Sequence, residues 1–102
     1  MPECVWIHYS RPRPHWYALG KDEQVRFAEI WASVHGRSEA GGALRQGSYH
    51  IRGQHDFQDV EIWVFPDSQA AFAHWDGLCA ERYNEFFAFA NNLGLARQGA
   101  DR

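Results

Sequence analysis

The chain has 102 residues, a net charge of −3, 45% hydrophobic and 23% charged side chains, which suits one domain with a single core and excludes disorder. The acidic balance gives no general pull towards nucleic acid or an anionic membrane, and Arg11 with Arg13 is too small a basic cluster for a phosphate-binding stripe. Five Trp, seven Phe and four Tyr are more than a core of this size absorbs easily, so part of that surface is expected in a subunit interface or around a flat ligand.

In chain order, Cys4-Val5-Trp6-Ile7-His8-Tyr9-Ser10 alternates as a strand, and the prolines of Arg11-Pro12-Arg13-Pro14 end its ladder. Trp16 is expected to staple the following loop onto a first helix. That helix has Gly20 as N-cap, Asp22 and Glu23 in its first turn, and Phe27, Ile30, Trp31 and Val34 on one face; Gly36 is expected to stop it. After the Gly41-Gly42 loop, a second strand spans about 44 to 52. Gly53-Gln54-His55-Asp56 then supplies a hairpin turn into Val60-Glu61-Ile62-Trp63-Val64-Phe65. Pairing Ile51 with Val60 and Tyr49 with Ile62 places His50 opposite Glu61. Pro66-Asp67-Ser68 starts a second helix capped by Asp67, with Ala71, Trp75, Leu78 and Cys79 as its apolar stripe and Gly77 as an interruption. Residues 83–92 fit either a fourth strand, with Phe87, Phe89 and Asn91 on one side, or a helix ending at Gly94; the element count favours strand. Residues 1–97 form the expected single domain, with 98–102 as a frayed tail.

Cys4 and Cys79 are isolated, which fits a reduced, cytoplasmic setting, and Met1-Pro2-Glu3-Cys4 has neither the basic nor the apolar run of an export signal. No apolar run approaches membrane-spanning length. There is no Gly-rich phosphate loop, Ser nucleophile elbow or activated-Cys context, so no cofactor is implied.

Strand alternation sorts the side chains into two faces. Val5, Ile7, Val60, Ile62 and Val64 form an aliphatic face on which helices are expected to pack. Trp6, His8, His50, Glu61 and Trp63 form the opposite face, which reads as a pocket lining. His8 and His50 are candidate acid–base groups because imidazole exchanges protons near neutral pH, and Glu61 could orient one of them or act as base. The plainer alternative is a His50–Glu61 cross-strand pair on a wet face. Trp6, Trp63 and Phe65 could stack on a planar substrate or build a dimer core. Tyr83 and Asn91 could hydrogen-bond a substrate oxygen. His8, His50 and Glu61 have the composition of a two-His, one-carboxylate site but no recognised ligand spacing, so no metal is assigned. His15, His35 and His74 read as loop, helix-end and helix-surface residues respectively.

The order strand, helix, strand, strand, helix, strand is that of a ferredoxin-like α+β fold with two helices on one face of the sheet. At this length it resembles the dimeric α/β-barrel superfamily. More narrowly, Ile7-His8-Tyr9, Pro12-Arg13-Pro14, Trp16-x-Ala18-Leu19, Phe27 and Tyr83…Phe87…Asn91…Gly94 resemble a small bacterial branch related to darcynin-like proteins. The resemblance implies a homodimer with sheets face to face, in a superfamily of cofactor-free monooxygenases, polyketide cyclases, and aldoxime and haem enzymes. The expected function is therefore cofactor-independent acid–base chemistry (cyclase, isomerase, lyase or monooxygenase) on a small apolar, aromatic or polyketide-like substrate. The alternatives are a non-catalytic binding or structural homodimer, and a haem- or metal-binding member.

Overall fold

A computed structural model of the chain describes residues 3–53 and 56–97. Its elements are β1 (Cys4–Pro12), α1 (Pro14–Tyr17), α2 (Lys21–Ala40), β2 (Leu44–His50), β3 (Asp59–Phe65), α3 (Ser68–Ala80), α4 (Tyr83–Phe86) and β4 (Phe87–Leu95). The strands pair antiparallel in the order β2-β3-β1-β4, so β1 lies between the third and fourth strands. This is the ferredoxin-like topology that the element order implies. Among the described residues no helix is long and apolar enough to cross a membrane. Gln54 and His55 of the expected turn, and the 98–102 tail, lie outside the described residues.

The helix starts follow their sequence signals. Gly20 is the extended N-cap of α2, with Asp22 and Glu23 in the first turn, and the Asp67 carboxylate accepts from the Ala70 amide at 2.8 Å to cap α3. The expected stop at Gly36 is corrected: α2 continues to Ala40, with Gly41 as C-cap. A mid-helix glycine costs about 1 kcal/mol, which the packing of Phe27, Trp31 and Val34 outweighs. The turn into β2 is made at Gly42, whose φ of 107° a side chain would strain. The ambiguous tail is one turn of helix followed by a strand.

The expected assignment of the two sheet faces is inverted. Cys4, Trp6, His8 and Ser10 are buried under the helices, whereas Val5, Ile7 and Tyr9 on the other face stay half-buried. The cause lies in α3, where Ala70 and Ala71 are too small to fill a helix–sheet layer. The sheet supplies that bulk instead: Trp63 stacks on Phe65 at 5.6 Å, and both pack on His74. A second aromatic cluster joins Phe27, Trp31 and Phe86, with the Trp31 indole N–H bonded to the Glu81 carbonyl at 3.0 Å. Trp16 packs on Trp31 at 5.4 Å, the expected staple.

The hairpin register also differs from expectation. Ser48, not His50, lies opposite Glu61, and His50 lies opposite Asp59. A connection from His50 to Asp59 longer than four residues shifts the pairing by two, which preserves the face but moves each partner along the strand; the bulge between Arg45 and Gly47 alters only the pairs of Leu44 and Arg45 beyond it.

Two helical glycines give a direct test of this packing. A Cβ on Gly77 would meet Val34 Cγ1 at 3.1 Å, whereas Gly36 has nothing within 4 Å. Gly77→Leu is expected to destabilise by about 1–3 kcal/mol despite leucine's better helix propensity, and Gly36→Ala to stabilise by up to about 1 kcal/mol. Urea denaturation of both variants measures the two signs.

Candidate functional site

Between the sheet and α2 lies a cavity of about 410 Å³. Its floor is the covered sheet face, with His8, Ser10, Ser48, Asp59 and Glu61, while Ala28, Trp31, Ala32 and His35 of α2 form its roof. Leu78, Tyr83 and Phe87 line it from α3, α4 and β4, and Arg45 reaches it from β2. The space exists because Ala28 and Ala32, four apart on one helical face, are small where Trp31 and His35 beside them are large. Exposed Ala28, Ala32, Arg45 and Ser48 mark the side open to solvent. One face of the cavity is thus polar and ionisable, the other apolar.

His8 is the most deeply placed polar group, 2% exposed in the middle of β1. Its Nδ1 lies 2.6 Å from Asn91 Oδ1, and its Nε2 lies 2.8 Å from the Tyr83 hydroxyl. Asn91 is the cross-strand partner of His8 on β4, and Glu61 is its partner on β3. Burial holds the His8 pKa below its usual value, against smaller opposing effects of the Asn91 hydrogen bond and the Glu61 charge. Burial also pushes the Tyr83 phenol above its usual value; a hydrogen bond from Ser10 opposes this, and the charges of Glu61 and Asp59 reinforce it. At neutral pH the pair is therefore a neutral imidazole and an intact phenol.

Tyr83 owes its place to Arg82, which turns the chain at φ 68° directly after α3. A non-glycine residue there costs about 1–2 kcal/mol. The Arg82 side chain offsets that cost by pairing with Glu85 at 3.1 Å and lying over Phe86 at 5.1 Å.

Glu61 is half-buried, and its Oε1 accepts from the Trp63 indole N–H at 2.9 Å, which leaves its second oxygen for other partners. At the mouth, Arg45 lies 4.9 Å from the Trp63 ring and donates to His35 Nδ1 at 2.6 Å. Burial is the main cause that lowers the His35 pKa. Behind His35, the parallel ring of His74 is stacked at 5.3 Å. His74 Nδ1 is 2.6 Å from the Ser38 hydroxyl, while its Nε2 is buried without a hydrogen-bond partner. Burial, reinforced by His35, His8 and Arg45, takes the His74 pKa down to about 3. Among the described residues no three His, Cys, Asp or Glu side chains come together as a metal-binding set.

Of the sequence candidates, His8, Glu61 and Tyr83 line this cavity, and Asn91 adjoins it through His8. His50 does not reach it: its side chain is 60% exposed at the sheet edge, 3.7 Å from Asp59. Trp63 and Phe65 are 0% and 1% exposed and serve as packing, not as a presented wall. Trp6, also buried, faces a second groove of about 320 Å³ between α3 and β4, shared with Trp75, Phe72, Leu93 and Asn91. His35, expected at a helix end, and His74, expected at a helix surface, are respectively a cavity residue and a core residue, because α2 runs on to Ala40 and both helices turn those faces inward. Ser10, Asp59, Arg45 and Ser48 were not singled out in the sequence. Extending the strand alternation past His8 and Glu61 would have found the first two.

No protein-family model matches the sequence, and no curated protein matches it significantly. Solved structures do resemble it in fold. A W145V mutant chlorite dismutase from Candidatus Nitrospira defluvii superposes with a TM-score of 0.79 at 11% identity, over 95% of this chain and 41% of the other. The W145F mutant of that enzyme in complex with cyanide gives 0.78 at 11% identity, over 96% and 41%. A haem-binding protein from Thermus thermophilus gives 0.74 at 12% identity, over 92% and 40%. The chain thus spans about two fifths of the length of the structures it resembles. At such identities the likeness establishes the fold: a four-stranded ferredoxin-like α+β sheet, the architecture used by chlorite dismutase.

Proposed function

We propose that the cavity between the sheet and α2 binds a small molecule with a flat apolar body and at least one hydroxyl or enolisable carbonyl, and that the chain catalyses proton transfer on it without a cofactor. The observation that carries this reading is a buried, neutral His8 bonded at both nitrogens, one of them to an intact Tyr83 phenol, in the wall of a cavity that also presents Glu61. Glu61 is the base that removes a proton beside the carbonyl. The Ser10 hydroxyl donates to the substrate carbonyl oxygen, the Tyr83 oxygen accepts from a substrate hydroxyl, and Trp31 and Phe87 flank the apolar body. Cyclisation, isomerisation and elimination all use this step. The polar floor narrows the expected substrate from largely apolar to amphipathic. The resemblance to dimeric α/β barrels adds a second copy over the open aliphatic face, where Val5, Ile7, Val60, Ile62 and Val64 offer the side chains of a sheet-on-sheet contact.

The fold comparisons favour the second reading, a haem-binding member, over a cofactor-free enzyme. The imidazoles oppose it. His8 has both nitrogens engaged, and His35 accepts from Arg45 at Nδ1, so its proton sits on Nε2, where iron would need a lone pair. The residues in their present arrangement do not fit haem. Titration with haemin is expected to give no stoichiometric Soret band; a band that His35→Ala abolishes would establish the haem reading instead.

The acid–base reading is tested by thermal shift against hydroxylated aromatic and polyketide-like compounds, since a ligand bound only by the native state raises its melting temperature. A shift that Glu61→Gln retains and Tyr83→Phe reduces is expected, because Glu61 acts in the reaction and Tyr83 holds the bound molecule. Absence of any shift across hydroxylated compounds counts against the reading. Tyr83→Phe also leaves His8 Nε2 buried and unpaired, with an expected cost of about 1–3 kcal/mol in urea denaturation.

The neutral imidazoles carry a further expectation. A histidine whose folded pKa lies below its unfolded value of 6.5 leaves stability unchanged above pH 6.5. As pH falls from there towards the folded pKa, the unfolded chain takes up protons that the fold refuses, and stability is lost. For His74 that window runs from 6.5 down to about 3. Melting temperatures measured from pH 7 to pH 4 are expected to fall, and His74→Gln to fall less steeply than the wild type.

A further inference from the structure

His8 and Asn91 face each other directly across β1 and β4, and Asn91 presents its side-chain oxygen to His8 Nδ1 at 2.6 Å. A carboxamide oxygen only accepts, so in a neutral ring the single proton must sit on Nδ1. Nε2 is then a lone pair, and the only way to satisfy it at 2.8 Å from Tyr83 is for the phenol to donate. Tyr83 itself lines the cavity, so its oxygen is left to accept from a molecule bound there. The hydrogen bond from Tyr83 to His8 therefore points away from the cavity, and one oxygen atom on Asn91 sets that direction.

We propose that Asn91 is a positioning residue that holds His8 in the Nδ1–H tautomer, and that this directs the Tyr83–His8 chain to accept a proton from a substrate hydroxyl. The inference deepens the acid–base reading and rests on it for the identity of the proton donor. In the step, the substrate O–H bond breaks as Tyr83 gains that proton and passes its own to His8 Nε2. The products are a substrate oxyanion and an imidazolium whose Nδ1–H stays on Asn91. The reverse shift returns the proton when the reaction closes. With the opposite tautomer, Nε2 would carry a hydrogen and the chain would have nowhere to deliver a proton. Sequence reading placed Asn91 as a donor to substrate; the geometry makes it an acceptor that acts through His8.

The tautomer is observable without a known substrate. In uniformly ¹⁵N-labelled protein, two-bond ¹H–¹⁵N correlation of the imidazoles separates protonated from lone-pair nitrogens, and His8→Gln assigns the His8 signals. Wild type is expected to show His8 protonated at Nδ1 and bare at Nε2. Asn91→Leu is expected to lose this preference. Asn91→Asp keeps an acceptor in place, so it is expected to restore the Nδ1–H form and raise the His8 titration midpoint by roughly one unit or more through its charge. Wild-type His8 protonated at Nε2, or a pattern that Asn91→Leu leaves unchanged, would overturn the proposal; so would failure of Asn91→Asp to restore it. A correct tautomer pattern together with no binding of hydroxylated ligands would count against the acid–base reading while the role of Asn91 stood.

Discussion

A strand cannot choose its two faces independently, and the central position of β1 makes its alternation decisive for the whole molecule. Trp6, His8 and Ser10 go under the helices together because successive even positions point the same way. The aromatic members of that face fill the layer that the small side chains of α3 leave empty, and the polar members are carried in with them. Burying an imidazole costs least when its hydrogen bonds are made, and Asn91 and Tyr83 make both for His8. The packing requirement and the candidate chemistry are thus two consequences of one alternation.

The cavity follows from the same layer. Where α3 covers Trp6, Trp63 and Phe65, aromatic bulk fills most of the layer; where α2 covers His8, Ser10, Asp59 and Glu61, the shorter sheet side chains and two alanines leave it open. Glu61 is held at the boundary between these regions by the indole of Trp63, so one buried tryptophan both packs the closed half and orients a carboxylate of the open half.

Much of this was legible in the sequence, and the reasons are local. Asp67 and Gly20 signal helix starts through capping chemistry that needs no tertiary context, and the pairing of His8 with Glu61 on one face follows from alternation alone. The choice of which face the helices cover was not legible by the usual preference for aliphatic residues, because it depended on the helices being too small. The position of His50 was lost to the length of the hairpin connection, a feature that alternation does not reveal. The cavity roles of His35 and Arg45 depended on helix rotation and on a contact between separate elements, which periodicity does not encode. The Ala28–Ala32 spacing was present to be read, but it acquires meaning only when the strand beneath it is known.

Those two alanines have a separate consequence. The groups capable of moving protons sit on the strands and on Tyr83, while the room available above them is set by two methyl groups on α2. Chemistry and selectivity are therefore written on different secondary-structure elements. A lineage could enlarge, reshape or fill the chamber by exchanging residues along one helix, and leave the hydrogen-bonded array beneath it untouched. Such a scaffold permits substrate range to drift without rebuilding its reactive centre.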